Sequence, residues 1–231
     1  MRIATLNIRH GGGTRVSAIL RYLPTLDADV LILTEFRSGA TGSAIRSNLA
    51  AQGYSLQAHS SNDPSVNAVL MASRIGGSVV KVRAGPPGFE HCLTVARFRD
   101  LSICACYFPQ GERKRPVFDQ LIGLTKELQP LGLVLGDLNT GLPFQDEAGR
   151  TFKCVDAFQA LLRANLVDSW RVRHPDAREF SWRSTHGNGF RIDHALATGG
   201  FNGQISTVEY DHTSRELGIT DHSALLVASD G

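Results

Sequence analysis

An α/β or α+β fold with more than one sheet is what this sequence predicts, and three observations carry the prediction. Short apolar runs of strand length recur from one end of the chain to the other, some joined by hairpin-length turns and some by segments with helical spacing. The 231 residues are 42% hydrophobic and 20% charged, which suits an ordinary globular core. No composition break, internal repeat or low-complexity tract divides the chain, so a single domain over residues 1–231 is expected.

Ile3–Ile8 reads as the first strand. Gly11-Gly12-Gly13 turns the chain, and Val16, Ile19, Leu20 and Leu23 follow at helical spacing until Pro24 stops them. That turn matches neither G-x-x-x-x-G-K-[ST] nor G-x-G-x-x-G and is read as a plain turn. Asp29–Leu33 is a second strand, running into Thr34-Glu35. A short helix around Ile45–Leu49 precedes strands near Val66–Ala72, Val79–Val82, Thr94–Phe98 and Leu101–Tyr107. A helix from about Pro116 to Leu128 leads to the apolar run beginning at Leu131, which stops abruptly at Gly136-Asp137-Leu138-Asn139. The Gly-, Pro- and polar-rich stretch Thr140–Thr151 reads as a mobile loop, and Val155–Asn165 as a helix with Phe158, Leu161 and Leu162 on one face. Leu225–Ala228 closes the chain as a strand.

Composition narrows the function classes. A net charge of +2 neither announces nor excludes a nucleic-acid binder, because a local basic rim matters more than the total. Cys92, Cys104, Cys106 and Cys154 show no C-x-x-C spacing, which argues against structural zinc and a disulfide framework. Cys104 and Cys106 sit in an apolar run and read as core residues. No signal-peptide pattern or run of 18 apolar residues is present, so a cytoplasmic protein with no membrane partner is expected. G-x-S-x-G and H-E-x-x-H are absent as well, which removes the common serine- and zinc-hydrolase readings.

Polar side chains stand at the ends of otherwise apolar strands: Asn7, Glu35, Tyr107, Asp137, Asn139, Asp193 and the Asp221-His222 pair. Any one of them reads equally well as a cap or turn former, and Asp137-Leu138-Asn139 in particular as an Asx turn. Their repetition points instead to metal-assisted phosphoryl transfer. A hard divalent cation takes oxygen ligands, so Glu35 is the leading ligand with Asn7 and Asp221 assisting, and magnesium (or manganese) is the expected ion. Asp137 is placed to orient or deprotonate a water, steadied by Asn139. His222, oriented by Asp193, presents a cationic imidazole to a phosphate oxygen that Tyr107 also reaches. Arg183 and Arg191 are candidates for contacts with a substrate backbone.

The ordered set T-L-N at 5–7, L-T-E at 33–35, Y-F-P-Q-G-E at 107–112, G-D-L-N at 136–139, L-V-D-S-W-R at 166–171, F-S-W at 180–182, R-I-D at 191–193 and T-D-H at 220–222 resembles the exonuclease/endonuclease/phosphatase superfamily. Y-F-P-Q-G-E and the F-S-W to R-I-D spacing resemble, more narrowly, the exonuclease III family of DNA-repair nucleases. The resemblance implies a four-layer sandwich of two mixed β-sheets flanked by helices, with a site at one edge of the sheets. It implies the same division of roles among Glu35, Asn7, Asp221, Asp137, Asn139, Tyr107, Asp193 and His222, and it places Phe190 where a bulky residue walls an abasic-sugar pocket. The implied activity is cleavage of DNA at abasic sites or from 3′ ends, by a monomer. The stretch from Asn139 to Leu166 is shorter than in typical repair enzymes of this kind. That leaves as alternatives a small phosphoester, a phosphotyrosyl–DNA link or RNA.

Overall fold

The architecture follows from strands whose two faces are both buried. In the computed structural model, which describes residues 1–230, β1 (Arg2–Asn7) and β2 (Val30–Phe36) run parallel, joined through α1 (Val16–Tyr22). Ile3, Val30 and Ile32 point into one apolar layer, while Leu6, Leu31 and Leu33 point into another. A strand covered on both sides reads as an unbroken apolar run, which is why these two were legible.

The chain continues through α2 (Ala40–Ala51), β3 (Leu56–His59), β4 (Ala68–Ser73), β5 (Ser78–Lys81), β6 (Leu93–Phe98) and β7 (Leu101–Tyr107). α3 (Arg115–Leu124) then carries it to β8 (Leu131–Asp137), parallel to β7. α4 (Val155–Arg163), β9 (Leu166–Asp168), α5 (Ser169–Arg173) and the hairpin of β10 (Trp182–Arg183) with β11 (Gly189–Phe190) follow. β12 (Asp193–Thr198), α6 (Gly199–Asn202), β13 (Ile205–Asp211), α7 (Thr213–Glu216) and β14 (Ala224–Ser229) complete it.

Two six-stranded sheets result, ordered β13-β14-β1-β2-β4-β3 and β5-β6-β7-β8-β12-β9. Each holds one parallel pair, β1/β2 or β7/β8, among antiparallel neighbours. Between the sheets lies one apolar layer, with Ile32, Val69, Ile103, Leu133, Leu135 and Val227 in it. Tyr22, Ile45 and Leu49 of α1 and α2 cover the outer face of the first sheet, and Phe118, Leu121 and Phe158 of α3 and α4 that of the second. This is the four-layer sandwich. Cys104 and Cys106 face the α3 side, and all four cysteines are buried and free. No helix among the described residues is long and apolar enough to cross a membrane.

Three expectations are corrected. The stretch Thr140–Thr151 is not a loose loop, since Thr140, Asp146 and Glu147 are buried and Glu147 accepts hydrogen bonds from the Thr151 and Phe152 main chain at 2.7 and 3.0 Å. The helix expected to reach Leu128 ends at Leu124, and turns carry the chain on to β8. Strands β3, β9 and β13 and the small hairpin, unforeseen in the sequence, are short or carry mixed exposure that hides a two-residue period.

Candidate active site

Both parallel pairs send their carboxyl ends to one rim, where open α/β sheets bind ligands. β1 ends at Asn7 and Glu35 lies near the end of β2, while β7 and β8 end at Tyr107 and Asp137. Tyr107 pairs with Asp137, and Asp137 with Asp193 of antiparallel β12, which makes one row across three strands. Asp221 and His222 lead into β14, and His222 bridges to Trp182 of the hairpin. At this rim Glu35, Tyr107, Asp137, Asp221 and His222 border a cleft of about 610 Å³.

Backbone conformation here is unusual, and the sequence explains part of it. Gly136 has φ +147, and a Cβ there would fall 2.0 Å from the Cys106 carbonyl oxygen of β7, so glycine is required before Asp137. Glu35, Arg9, His10 and Asn139 all have positive φ, between 50 and 53. Such conformations cost roughly 1–3 kcal/mol for residues other than glycine, less for asparagine, and persist where the surroundings enforce them. The turn through Arg9–Gly13 folds back over β2, so that the His10 N–H donates to Glu35 Oε2 at 2.9 Å and the Gly11 N–H to the Glu35 carbonyl at 2.8 Å. The glycine turn thus grips Glu35 by its main chain, and His10, just ahead of it, holds the carboxylate.

A buried amide ties the two sheets together at this rim. Asn7 Nδ2 donates to Glu35 Oε1 at 3.1 Å within its own sheet and to Asp137 Oδ2 at 2.9 Å in the other. The Asn139 N–H donates to Asp137 Oδ1 at 2.8 Å, and its Nδ2 to the Phe108 carbonyl at 2.7 Å. The Asx turn is therefore real, and it is also what holds the Asp137 carboxylate toward the cleft. His222 Nδ1 donates to Asp193 Oδ2 at 2.8 Å, while Asp193 Oδ1 is buried without a partner. Ser181 Oγ accepts from the Ile192 and Asp193 N–H groups, both at 3.1 Å, and so fixes the start of β12. Trp182 Nε1 donates to Asp221 Oδ2 at 3.2 Å.

These surroundings shift protonation. Burial pushes the Asp137 carboxyl up, neighbouring Asp193 adds to the push, and His222 opposes it, leaving it at about 7. Burial alone would lower His222, but Asp193 at hydrogen-bond distance outweighs it and raises the imidazole to about 9. Burial, then Glu35, moves the Tyr107 phenol above its ordinary range. Both shifts run the same way, each favouring the protonated form of its group.

All eight residues given catalytic or metal roles converge here. Glu35, Tyr107, Asp137, Asn139, Asp221 and His222 line the cleft directly, while Asn7 and Asp193 are buried behind it. Phe190 also lines it, packed against Trp182 and Phe152 with ring centroids 5.5 and 5.7 Å apart. Arg183 is exposed on the hairpin over the Phe180 ring. Arg191 is the exception: its side chain is 0% exposed, with Nε on Asp146 at 2.7 Å and Nη2 on Asp168 at 2.6 Å. A guanidinium so enclosed meets no substrate, and the expectation of a backbone contact is withdrawn. Two neighbours escaped the sequence reading. Asn67 donates to Glu35 Oε2 at 3.0 Å and to the Tyr107 hydroxyl at 3.3 Å, and buried Lys114 donates to the Asn139 carbonyl. Asn67 stands before an apolar strand rather than after one, and Lys114 hides within the basic run Arg113-Lys114-Arg115.

A family model described as the endonuclease/exonuclease/phosphatase family matches residues 4–222. The chain belongs to this family. It is accordingly an enzyme, a hydrolase of phosphoester bonds. Solved structures of similar fold include an AP endonuclease from Archaeoglobus fulgidus (21% identity, TM-score 0.86) and a 3′-5′ exonuclease, NExo, from Neisseria meningitidis (22%, TM-score 0.87). The Neisseria protein, described as a 3′ phosphatase and bound to a product DNA hairpin, is similar at 21% identity and TM-score 0.83. Each likeness covers 100% of both chains, so the family fold is shared from end to end.

Proposed function

We propose that residues 1–231 work as one monomeric catalytic domain that hydrolyses phosphodiester bonds of DNA with a divalent cation, at abasic sites, at 3′ ends or at both. The observation that carries this reading is the facing of Asp137, held by two asparagines, and the His222–Asp193 pair in a single cleft. Asp137 orients a water and accepts its proton as the water oxygen attacks phosphorus. A carboxyl raised by burial is the stronger base for that exchange. The imidazolium of His222, kept charged by Asp193, donates from Nε2 to a phosphate oxygen that gains charge as the P–O bond to the leaving group breaks. Tyr107 supports the same phosphate. Phe190 and Trp182 wall one end of the cleft for the sugar, and exposed Arg183 meets the backbone beside them.

The donor set fits a hard cation. Glu35, Asn7 and Asp221 offer oxygen ligands, as magnesium or manganese prefers. A tighter grouping, Asp137, Asp193 and His222, has candidate atoms within 4.8 Å of one another. It suits a cation less well, because His222 is hydrogen-bonded to Asp193 and ligation needs a neutral imidazole. When bound at Glu35, the ion would supply charge neutralisation at the phosphate.

The test uses labelled duplex with one abasic site, duplex with a recessed 3′ end, and bis-nitrophenyl phosphate, each with magnesium and with chelator. Magnesium-dependent nicking 5′ to the abasic site, or shortening of the 3′ end, is expected. Turnover of the small ester with neither DNA cut would overturn the DNA assignment, and no turnover of any of the three would overturn the catalytic one.

A further inference from the structure

The loop from Gly141 to Lys153 is anchored inward and yet displays a large apolar side chain outward. Asp146 receives Arg191 Nε and the Leu142 N–H, both at 2.7 Å, and Glu147 receives the Thr151 N–H at 2.7 Å. Just ahead of these anchors, Phe144 is 58% exposed, and its backbone has φ +65. Its N–H is tied to the Gly149 carbonyl at 3.0 Å, so the conformation is enforced by the loop. A left-handed backbone is costly for a bulky residue and free for glycine. An exposed ring recovers little of that cost by burial. Packing therefore does not account for phenylalanine at this position, and strain at an exposed aromatic points to a role.

The ring borders a groove of about 570 Å³ that also has Pro143, Arg150 and Lys153 along it. Arg150 and Lys153 are exposed, and among the described residues neither side chain makes an ion pair or hydrogen bond. The groove's two carboxylates, Asp156 and Glu112, are both taken up by Arg115, at 2.8 and 3.0 Å and at 3.7 Å, which leaves Arg150 and Lys153 as its unengaged charges. Phe152 and Lys153 border both this groove and the catalytic cleft, so a polymer can pass from one to the other.

We propose that the groove holds unpaired nucleotides of a nucleic-acid strand whose scissile phosphate lies in the cleft, with a base stacked on Phe144 and phosphates on Arg150 and Lys153. The proposal rests on the phosphodiesterase reading above. A free aromatic face beside free cations is how single strands are held, because any base can stack and each link in the strand carries a charge. The interior of a duplex offers no such face, its bases being already stacked on one another. The anchored loop makes the platform preformed, which lowers the ordering cost of binding.

The test measures binding of fluorescein-labelled oligothymidylate to the full chain in chelator by anisotropy. Turnover of bis-nitrophenyl phosphate by the unaltered chain with magnesium is measured alongside. Phe144→Ala should weaken oligothymidylate binding on the order of 5- to 100-fold, and Phe144→Trp should preserve it. Arg150→Ala and Lys153→Ala should each flatten the log–log salt dependence by roughly 0.7. Phe144→Gly should lose strand binding while melting no lower than the parent, since φ +65 suits glycine. Unchanged oligothymidylate affinity in Phe144→Ala would overturn the proposal, as would an equal loss on closed circular duplex. No ester turnover by the unaltered chain would instead overturn the cleft reading, whatever the strand-binding result.

Discussion

Arg191 and His222 are both buried cations beside buried aspartates, but their surroundings differ. Around Arg191 all four oxygens of Asp146 and Asp168 accept hydrogen bonds, from Arg191, Arg171, the Leu142 N–H and the Arg171 N–H. Two guanidiniums balance two carboxylates, and the Trp170 ring lies within 5.0 Å of both. Around His222 the acids are more numerous: Asp193 keeps one oxygen without a partner, and Glu35 and Asp137 are bridged by a neutral amide. Saturated charge fastens a loop to a sheet. Unsaturated charge is a site with valence left over for a substrate or an ion.

Breaking the saturated group should give the largest effect. Arg191→Met leaves two buried aspartates without their partner, and a loss of about 3–5 kcal/mol in denaturant-induced unfolding is expected. A loss under about 1 kcal/mol would mean the two groups are not different in kind. The same group sets an acid limit. Burial works to raise Asp168, but Arg191 and His194 outweigh it and hold the carboxyl below the ordinary range. A depressed folded value means the unfolded chain binds more protons, so this stability is complete above the unfolded pKa near ~4 and is lost as pH falls below it. The denaturation midpoint should drop steeply in acid, and less steeply in Arg191→Met. Equal acid slopes would count against the assignment.

Asp137→Asn should act on turnover instead. Steady-state turnover is expected to fall on the order of 10²-fold or more, while thermal melting changes little, since removal of a buried charge beside Asp193 is offset by an amide N–H₂ turned toward a donor, Asn7 Nδ2 or the Asn139 N–H. A kcat near that of the parent would reduce Asp137 to a turn former. Asn67→Ala should give the smallest change. With two hydrogen bonds gone from behind Glu35 and Tyr107, the magnesium concentration for half-maximal rate should rise roughly 10-fold. A titration that does not move would place the ion away from Glu35.

How much of this could be read in the sequence follows from where the information lies. β1, β2, β7 and β8 are buried on both faces, so their side chains spell continuous apolar runs, and the polar residues ending them stand out. β13 alternates poorly because it is an edge strand with one weakly covered face, and its pattern gives no clear signal. Arg191 is hidden from the sequence for another reason. Its acids lie 45 and 23 positions away in the chain, so an arginine beside an aromatic carries no local sign of being answered. Gly11-Gly12-Gly13 was legible as a turn, whereas its grip on Glu35 exists only in three dimensions.

The hydrogen bond from Asn7 to Asp137 spans 130 positions, and the strand that follows His222 pairs with the first strand of the chain. The order in which a growing polypeptide can gain activity is set by those two facts. Until β14 docks on β1, Asp221 and His222 have no fixed place, and a nascent chain with its second sheet complete carries a carboxylate row without its imidazolium. The seating of β14 on β1 is thus a condition for the whole cleft, because it brings the Asp221-His222 pair to the rim where Asn7 and Asp137 already meet.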